Sequence, residues 1–291
     1  MLFEGFETRR IAGAGAEIFC RIGGSGPPLL LLHGYPQTHV MWHKVAPRLA
    51  EKFTVICADL RGYGDSEKPE SDAAHRVYSK RATAADMVRV MQALGYPRFR
   101  LAGHDRGGRV SHRLALDFPA AVERVAVLDI IPTLTLFNTV NQTVATAYYH
   151  WFFLAQPSPH PERMIGADPD YYLESKLRAW SSAASEIYAP EALAEYKRCF
   201  RDPRCIHATC EDYRAGASID LEDDRADSHM RVEAPFLVLW GGNGAMQKNY
   251  DVLGTWREKA RDVRGEALPC GHFLPEEAPE ETFRALNAFF A

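Results

Sequence analysis

The sequence predicts an α/β fold, in which a mostly parallel eight-stranded sheet carries helices on both faces and an inserted helical cap. Three observations support this prediction. Short apolar runs alternate with amphipathic helical patterns, which is typical of strand–helix–strand units. Several runs are apolar throughout, as expected of strands covered on both faces. The middle third of the chain lacks such runs and is instead helical and rich in aromatic residues.

The composition predicts a globular protein with a small-molecule partner. Of 291 residues, 46% are hydrophobic and 25% are charged, and the formal net charge is −4. A negative chain is poorly suited to bind nucleic acid or an anionic membrane surface. No apolar run reaches the ~18 residues of a membrane-spanning helix, and the acidic N-terminus lacks a secretory signal pattern. The substrate can be an anion if positive charge is concentrated at its site.

The cysteines favour neither disulfides nor a metal. There are six of them, too few for a disulfide framework in a chain of this length. Cys199, Cys205, His207 and Cys210 lie close together, but they contain no C-x-x-C pair and their spacing does not suit zinc. We expect buried, reduced thiols in a cytoplasmic protein, with no metal and no organic cofactor.

The elements follow in order along the chain. An antiparallel hairpin is predicted at the N-terminus, from strands over 8–11 and 17–22 joined by a glycine-containing turn. Further strands are predicted over 28–33, 53–58, 99–102, 125–129, 235–240 and 263–268. Core helices are predicted over 42–50, 80–94, 249–260 and 275–290. Residues 1–132 and 229–291 then form the core, and residues 133–228, with their clearest helices at 191–200 and 209–217, form the cap.

A sharp strand-to-helix turn carries the most informative motif. Gly103, Asp105 and Gly107 fit G-x-nucleophile-x-G, the elbow of the α/β-hydrolases, with aspartate in place of serine. A serine that attacked saturated carbon would leave a stable ether, whereas a carboxylate leaves an ester that water can cleave. Asp105 therefore points to displacement at an alkyl halide or an epoxide. The alternative is an ordinary turn in which Asp105 caps the helix.

An acid and a histidine complete a candidate triad in the hydrolase order. Asp129 follows a predicted strand and His272 follows the last one, so both lie at the edge of the sheet where Asp105 lies. Asp251 is the alternative acid, because no carboxylate lies between residues 241 and 246. The loop 33–36 follows the first apolar strand, where α/β-hydrolases supply an oxyanion-hole N–H.

At this point the chain resembles the fluoroacetate (haloacetate) dehalogenases of the α/β-hydrolase superfamily over nearly its whole length. Arginines at one and four positions after Asp105 are the most specific feature. The stretches that carry the resemblance are HGYPQTHVMWH (33–43), GHDRGGR (103–109), VLDIIPT (127–133), YHW (149–151), CEDYRAGA (210–217) and GHFLPEEAP (271–279).

The resemblance implies a role for each matching residue. It implies Asp105 as nucleophile, His272 as base, Asp129 as its acid, Arg106 and Arg109 as the substrate-carboxylate clamp, His150, Trp151 and Tyr213 as the halide pocket, and backbone N–H groups of Tyr35 and Arg106 as the oxyanion hole. It also implies a homodimer to which the cap contributes. Two guanidinium groups suit a carboxylate, and imidazole, indole and phenol donors suit a strongly hydrated fluoride.

Proteins with other functions share several of these sequence features. Epoxide hydrolases and haloalkane dehalogenases share the Asp–His–Asp triad, although both usually carry tryptophan where this chain has Arg106. An epoxide hydrolase needs two cap tyrosines, and the cap has several. A non-catalytic binding protein of the same fold is a further alternative, and it would show neither turnover nor a covalent adduct.

Overall fold

The computed structural model describes residues 2–182 and 187–291, and it contains the predicted eight-stranded, mostly parallel sheet. The strand order is β1-β2-β4-β3-β5-β6-β7-β8. The strands are β1 (Glu7–Ala12), β2 (Glu17–Gly23), β3 (Pro28–Leu32), β4 (Thr54–Ala58), β5 (Phe99–His104), β6 (Val122–Leu128), β7 (Phe236–Gly241) and β8 (Val263–Leu268). The β1–β2 and β2–β4 pairs are antiparallel. The five other pairs are parallel, so their carboxyl ends share one edge.

Strand ends place the candidate residues at that edge. Strand β5 continues to His104, beyond the predicted 99–102, so Asp105 is the first residue of the helix that follows. Strand β6 ends at Leu128, one residue earlier than predicted, so Asp129 comes directly after it. The central strands consist of buried aliphatic residues, which form the core between sheet and helices.

Helices cover both faces of the sheet. Those of the core are α1 (Ala46–Leu49), α2 (Lys80–Ala93), α3 (Asp105–Asp117), α12 (Ala245–Asn249), α13 (Val252–Arg257), α14 (Leu274–Glu277) and α15 (Pro279–Phe290). Those between β6 and β7 are α4 (Thr133–Asn138), α5 (Gln142–Ala147), α6 (Tyr149–Leu154), α7 (His160–Gly166), α8 (Pro169–Trp180), α9 (Pro190–Phe200), α10 (Pro203–Gly216) and α11 (Ile219–Ala226). The described part of this insertion contains no strand, and α10 contacts α6, α7, α9 and α11.

Three core helices were wrong in their predicted bounds, each for a local reason, and the helix predicted over 209–217 begins earlier, at Pro203. The predicted helix 249–260 is two helices, because Asp251 leaves helical geometry and caps α13 by accepting from the Gly254 N–H. The closing helix is divided because Pro279, which lacks an N–H, begins α15. The predicted helix 42–50 is reduced to a 3₁₀ turn, His39–Trp42, and the four residues of α1, which has Pro47 in its first turn.

The described residues include no helix long and apolar enough to cross a membrane. All six cysteines are buried and unpaired. Within the same described ranges, no group of histidine, cysteine, aspartate and glutamate side chains could hold a metal ion.

Candidate active site

Asp105 lies at the sharp turn between β5 and α3. Its φ of 45° falls in the left-handed region, and its side chain is buried. The turn needs glycine on its helix side, because a Cβ on Gly107 would lie 2.3 Å from the backbone oxygen of His33. A non-glycine residue with positive φ is costly and persists where the surrounding structure holds it, often at a functional site.

One oxygen of the Asp105 carboxylate is held by the backbone. The Tyr35 N–H donates to Oδ1 over 3.0 Å, which leaves Oδ2 for another interaction. Gly34 permits this approach, because a Cβ there would lie 2.5 Å from the Asp105 Cβ. Burial alone would raise the pKa of Asp105, but positive charge from His272 and from the two following arginines lowers this pKa to about 2. Asp105 is therefore a carboxylate at neutral pH.

Asp129 and His272 form a hydrogen-bonded pair. The Nδ1 atom of His272 lies 2.6 Å from Oδ2 of Asp129, while Oδ1 accepts from the Gly241 N–H over 2.9 Å. The hydrogen bond and charge of Asp129 raise the pKa of His272, although burial opposes them as the largest single effect. The structure does not bring Asp251 to this pair, because Asp251 is exposed and caps α13.

Two further residues fix the loop that carries His272. The His104 Nε2 lies 2.7 Å from the backbone oxygen of His272, and the His272 N–H donates to the backbone oxygen of Trp180 over 3.0 Å. Burial lowers the pKa of His104 to about 3, so its imidazole is neutral and can donate through Nε2. The loop is thus bound both to strand β5 and to helix α8.

Arg106 is buried and held from one side by Asp212. Its Nε donates to Asp212 Oδ2 over 2.7 Å, and its Nη2 donates to the backbone oxygen and to Oδ1 of Asp212 over 2.8 and 3.1 Å. Asp212 also accepts from the Tyr63 hydroxyl and from the buried Lys80 Nζ. Nη1 of Arg106 is buried and has no hydrogen-bond partner within 2–182 and 187–291.

Arg109 is also buried, rather than a surface partner of Asp105. Its Nη1 donates to the Ile131 backbone oxygen and to Thr133 Oγ1, both over 2.9 Å. Its guanidinium carbon lies 4.4 Å from the centre of the Trp151 ring. Nε has no hydrogen-bond partner in the described part of the chain. Burial lowers the pKa of Arg109 to about 10, so the guanidinium stays charged at neutral pH.

Three donors on helices α6 and α10, between β6 and β7, are buried without partners in the described ranges. They are His150 Nδ1, Trp151 Nε1 and the Tyr213 hydroxyl, none of which has a hydrogen-bond partner among the residues that the structure describes. The Tyr213 ring lies 5.7 Å from that of His150 and 5.8 Å from that of Trp151. Burial lowers the pKa of His150 and raises that of Tyr213, so both are neutral. A buried donor without an acceptor is costly, so these three groups are suited to an acceptor that a ligand brings.

A cavity of about 600 Å³ reaches this site. Its lining includes Asp105, Asp129, His150 and His272. The other lining residues are Thr143, Thr146, Ala147, Tyr148, Tyr149, Lys176, Ala179, Trp180, Ser181, Ser182, Asn243, Gly244, Ala245, Lys248 and Asn249. A small molecule can therefore reach the Asp105 carboxylate.

Sequence reasoning missed several residues of this site. Asp212 was inside a recognised stretch but was given no role, although its place beside Tyr213 was an available signal. His104, inside the elbow motif, could have been noticed in the same way. Trp180 and Lys176 lie on α8, where no motif marked them. The Gly241 N–H could not be found from residue type, since every non-proline residue carries one.

Together, the parallel sheet, the strand-to-helix elbow and the Asp129–His272 pair define a member of the hydrolase superfamily. The chain belongs to the α/β hydrolase fold family, whose model matches residues 27–279. A crystal structure from Nostoc sp PCC 7120, of a protein described as an α/β hydrolase, is 56% identical with a TM-score of 0.98. That similarity covers 100% of this chain and 99% of the other.

Relatives of known activity show which members of the family this chain is similar to. The chain is 48% identical over 290 residues to a fluoroacetate dehalogenase from Burkholderia sp, covering 100% of this chain and 95% of that one. The resemblance to fluoroacetate dehalogenases is thereby confirmed. A soluble epoxide hydrolase from Corynebacterium sp. (strain C12) is more distant, at 36% identity over 271 residues, covering 92% of this chain and 91% of that one.

Proposed function

We propose that this protein is a hydrolytic dehalogenase that converts fluoroacetate and other 2-haloacetates to glycolate and halide. One observation supports this proposal most directly: two buried guanidinium groups and three unpartnered buried donors surround an ionised carboxylate. The guanidinium groups suit a substrate carboxylate, and the three donors suit a halide that leaves. A neutral substrate without a carboxylate would leave Nη1 of Arg106 and Nε of Arg109 without a charged acceptor.

In the first proposed step, Asp105 displaces the halide. Tyr35 holds Oδ1 through its backbone N–H, and Oδ2 attacks the α-carbon from the side opposite the halogen. Nη1 of Arg106 and the free edge of Arg109 bind the substrate carboxylate, which offsets the repulsion between two anions. The halide leaves toward His150, Trp151 and Tyr213, whose donors replace its hydration. An ester on Asp105 remains.

In the second proposed step, water cleaves that ester. His272 takes a proton from water, while Asp129 holds the Nδ1–H and stabilises the imidazolium that forms. The hydroxide adds to the Asp105 carbonyl, and the backbone N–H groups of Tyr35 and Arg106 stabilise the oxyanion. Glycolate is released and the Asp105 carboxylate returns. The cycle uses side chains and water and needs neither a metal nor an organic cofactor.

An epoxide hydrolase is the second candidate function. The Tyr213 hydroxyl is unpartnered and buried near Asp105, where it could protonate an epoxide oxygen. The other two donors, Trp151 and His150, argue against this function because neither can protonate an epoxide oxygen. A neutral indole N–H is a very weak acid, and burial lowers the pKa of His150 so that its imidazole is neutral. A haloalkane dehalogenase is disfavoured by the buried arginines, and a binding-only protein is disfavoured by the aligned Asp129–His272 pair.

The purified protein tests the proposal through its choice of substrate. We expect one halide released per glycolate from fluoroacetate, chloroacetate and bromoacetate, measured by ion chromatography, and no opening of styrene oxide above the rate in buffer. The reason is that only the acids carry a carboxylate for the two arginines. Diol formation from styrene oxide with no halide release would instead establish the epoxide hydrolase.

Asp212 provides a prediction about the arginine clamp. Asp212→Asn removes the carboxylate that orients Arg106 and compensates Lys80. We expect the KM for chloroacetate to rise by at least about tenfold and the free energy of unfolding to fall by about 3 kcal/mol, as for a broken buried ion pair. Steady-state kinetics and thermal unfolding measure both quantities.

Asp170→Asn is the matched control for that substitution. Asp170 also pairs with an arginine of the cap, Arg201, but at the exposed surface. We expect it to change the free energy of unfolding by less than about 1 kcal/mol and to leave the KM unchanged. Equal effects of the two substitutions would contradict the role proposed for Asp212.

We also propose that the protein is cytoplasmic and forms a homodimer through the cap. Six buried, unpaired thiols suit a reducing compartment. Large hydrophobic side chains that are exposed within the described residues all lie between β6 and β7, where a partner could cover them. They are Val140, Tyr149, Met164 and Tyr171. Light scattering on the purified protein measures the assembly directly.

A further inference from the structure

The cavity is much larger than a two-carbon acid requires. Its volume of about 600 Å³ lies within the range of roughly 300–1,000 Å³ that is typical of pockets for much larger ligands. Of the groups proposed to hold the carboxylate and halide of a haloacetate, His150 is part of its lining, whereas Arg106, Arg109, Trp151 and Tyr213 are not. From Asp105 and His150, the lining continues to residues of α5, α8 and α12 and to Tyr149 of α6.

A buried lysine lines this outer region. Lys176, on α8, is only 4% exposed. Its Nζ donates to the Tyr149 hydroxyl and lies 4.2 Å and 4.8 Å from the ring centres of Tyr149 and Tyr172. In the described ranges, the partners of Nζ are this hydroxyl and these two rings and none is a carboxylate, although buried lysines are usually paired. Aromatic rings compensate a cation less than an anion does.

The position of Lys176 connects it with the reacting centre. Tyr149, its hydrogen-bond partner, directly precedes His150 on α6. The charge of Lys176 also contributes to the lowered pKa of His150, although burial is the larger cause. Lys176 and Asp105 line the same cavity. A group attached to the α-carbon at Asp105 and extending into the outer region would thus approach an uncompensated cation.

We propose that Lys176 forms an outer subsite for a carboxylate, which extends the substrate class to 2-halodicarboxylic acids. This inference rests on the proposed function. With 2-chlorosuccinate, the C–Cl bond breaks with its electron pair leaving as chloride while Asp105 forms the ester. Water then cleaves the ester, so that 2-hydroxysuccinate (malate), chloride and one proton are released. Arg106 and Arg109 bind the carboxylate next to the halogenated carbon, and Lys176 binds the distal one.

A substrate pair isolates the distal carboxylate. 2-Chlorobutanoate has the carbon chain of 2-chlorosuccinate but ends in a methyl group. We expect Lys176→Met to lower kcat/KM for 2-chlorosuccinate by about tenfold more than for 2-chlorobutanoate, as for a lost hydrogen bond to a charged group. Lys176→Arg keeps the charge and should restore most of the difference. Lys52→Met, at an exposed position outside the cavity, controls for net charge.

The carboxylate bound by Lys176 could instead be the single carboxylate of a haloacetate on its way to Asp105. In that case Lys176→Met lowers kcat/KM equally for chloroacetate, 2-chlorobutanoate and 2-chlorosuccinate, and the loss shrinks with added salt. Equal losses would contradict the extension to 2-halodicarboxylic acids, whereas a loss concentrated on 2-chlorosuccinate supports the outer subsite. Effects of Lys176→Met no larger than those of Lys52→Met on every substrate would overturn it.

Calorimetry separates this inference from the proposed function. We expect malate to bind the wild-type protein about tenfold more tightly than 2-hydroxybutanoate, and Lys176→Met to remove that preference. This measurement needs no turnover. A protein that releases no halide from any 2-haloacid would refute the dehalogenase proposal, while equal binding of the two hydroxyacids by the wild type would refute a distal-carboxylate subsite.

Discussion

His272→Asn is expected to stop the proposed reaction halfway. Displacement by Asp105 needs the carboxylate and its arginines but no base, so the first turnover should proceed. Hydrolysis of the ester needs a base for water, and asparagine cannot act as one. We expect one halide per active site in a burst and a steady-state rate lowered by at least about 10⁴-fold, as for removal of other essential catalytic groups.

Mass spectrometry gives the direct measurement for this variant. After incubation with fluoroacetate, the peptide that contains Asp105 should carry a carboxymethyl ester, while the same peptide of the wild-type protein should be unmodified at steady state. The double variant Asp105→Ala, His272→Asn is the control, because it lacks the attacking oxygen and should neither form the adduct nor release halide. A burst of halide without an ester on Asp105 would refute covalent catalysis at this residue.

The ester should form readily because the site already stabilises the attacking form of Asp105. Positive charge nearby keeps the Asp105 pKa at about 2, so the carboxylate needs no activation by a base at neutral pH. The second step has the opposite requirement, since His272 must be neutral to accept a proton. Asp129 raises the pKa of His272. Hydrolysis should therefore slow as the pH falls through that raised value, while ester formation continues.

Local patterns were enough to predict the sheet and the elbow. The aliphatic runs of β3, β6 and β7 reflect burial on both faces, which the sequence expresses directly. The glycines around Asp105 reflect close backbone contacts, which no other residue permits. Both signals arise within a few residues. That is why the fold and the position of Asp105 could be inferred before the structure was known.

Long-range pairing was beyond this reasoning. Arg106 and Asp212 are 106 positions apart and meet only in the folded chain, where Asp212 of α10 binds Arg106 in the first turn of α3. No periodicity reports such a contact, so both arginines were assigned to the substrate, whereas Arg106 already uses Nε and Nη2 for Asp212. Likewise, Lys176 became a candidate only when its burial and its place in the cavity were seen.

Asp129→Asn should nearly abolish turnover, because of the way both oxygens of Asp129 are used. Oδ1 accepts from the Gly241 N–H and Oδ2 faces Nδ1 of His272. An asparagine must turn its one carbonyl oxygen to Gly241, so its amide N–H would face Nδ1 and favour the tautomer protonated at Nε2. That tautomer cannot take a proton from water through Nε2. We expect kcat to fall by about 10³–10⁴-fold, as for other triad acids.

Asp251→Asn makes the comparison specific, because it removes the same charge from the alternative acid. Asp251 caps α13, and asparagine is an equally good cap, so we expect normal kcat and stability. Steady-state halide release by the two variants, with thermal unfolding to verify folding, decides between them. Loss of activity in Asp251→Asn with activity kept in Asp129→Asn would reverse the assignment. Because the proposed mechanism uses Asp129 in the second step only, its asparagine variant should also accumulate the Asp105 ester, which a merely unfolded protein could not form.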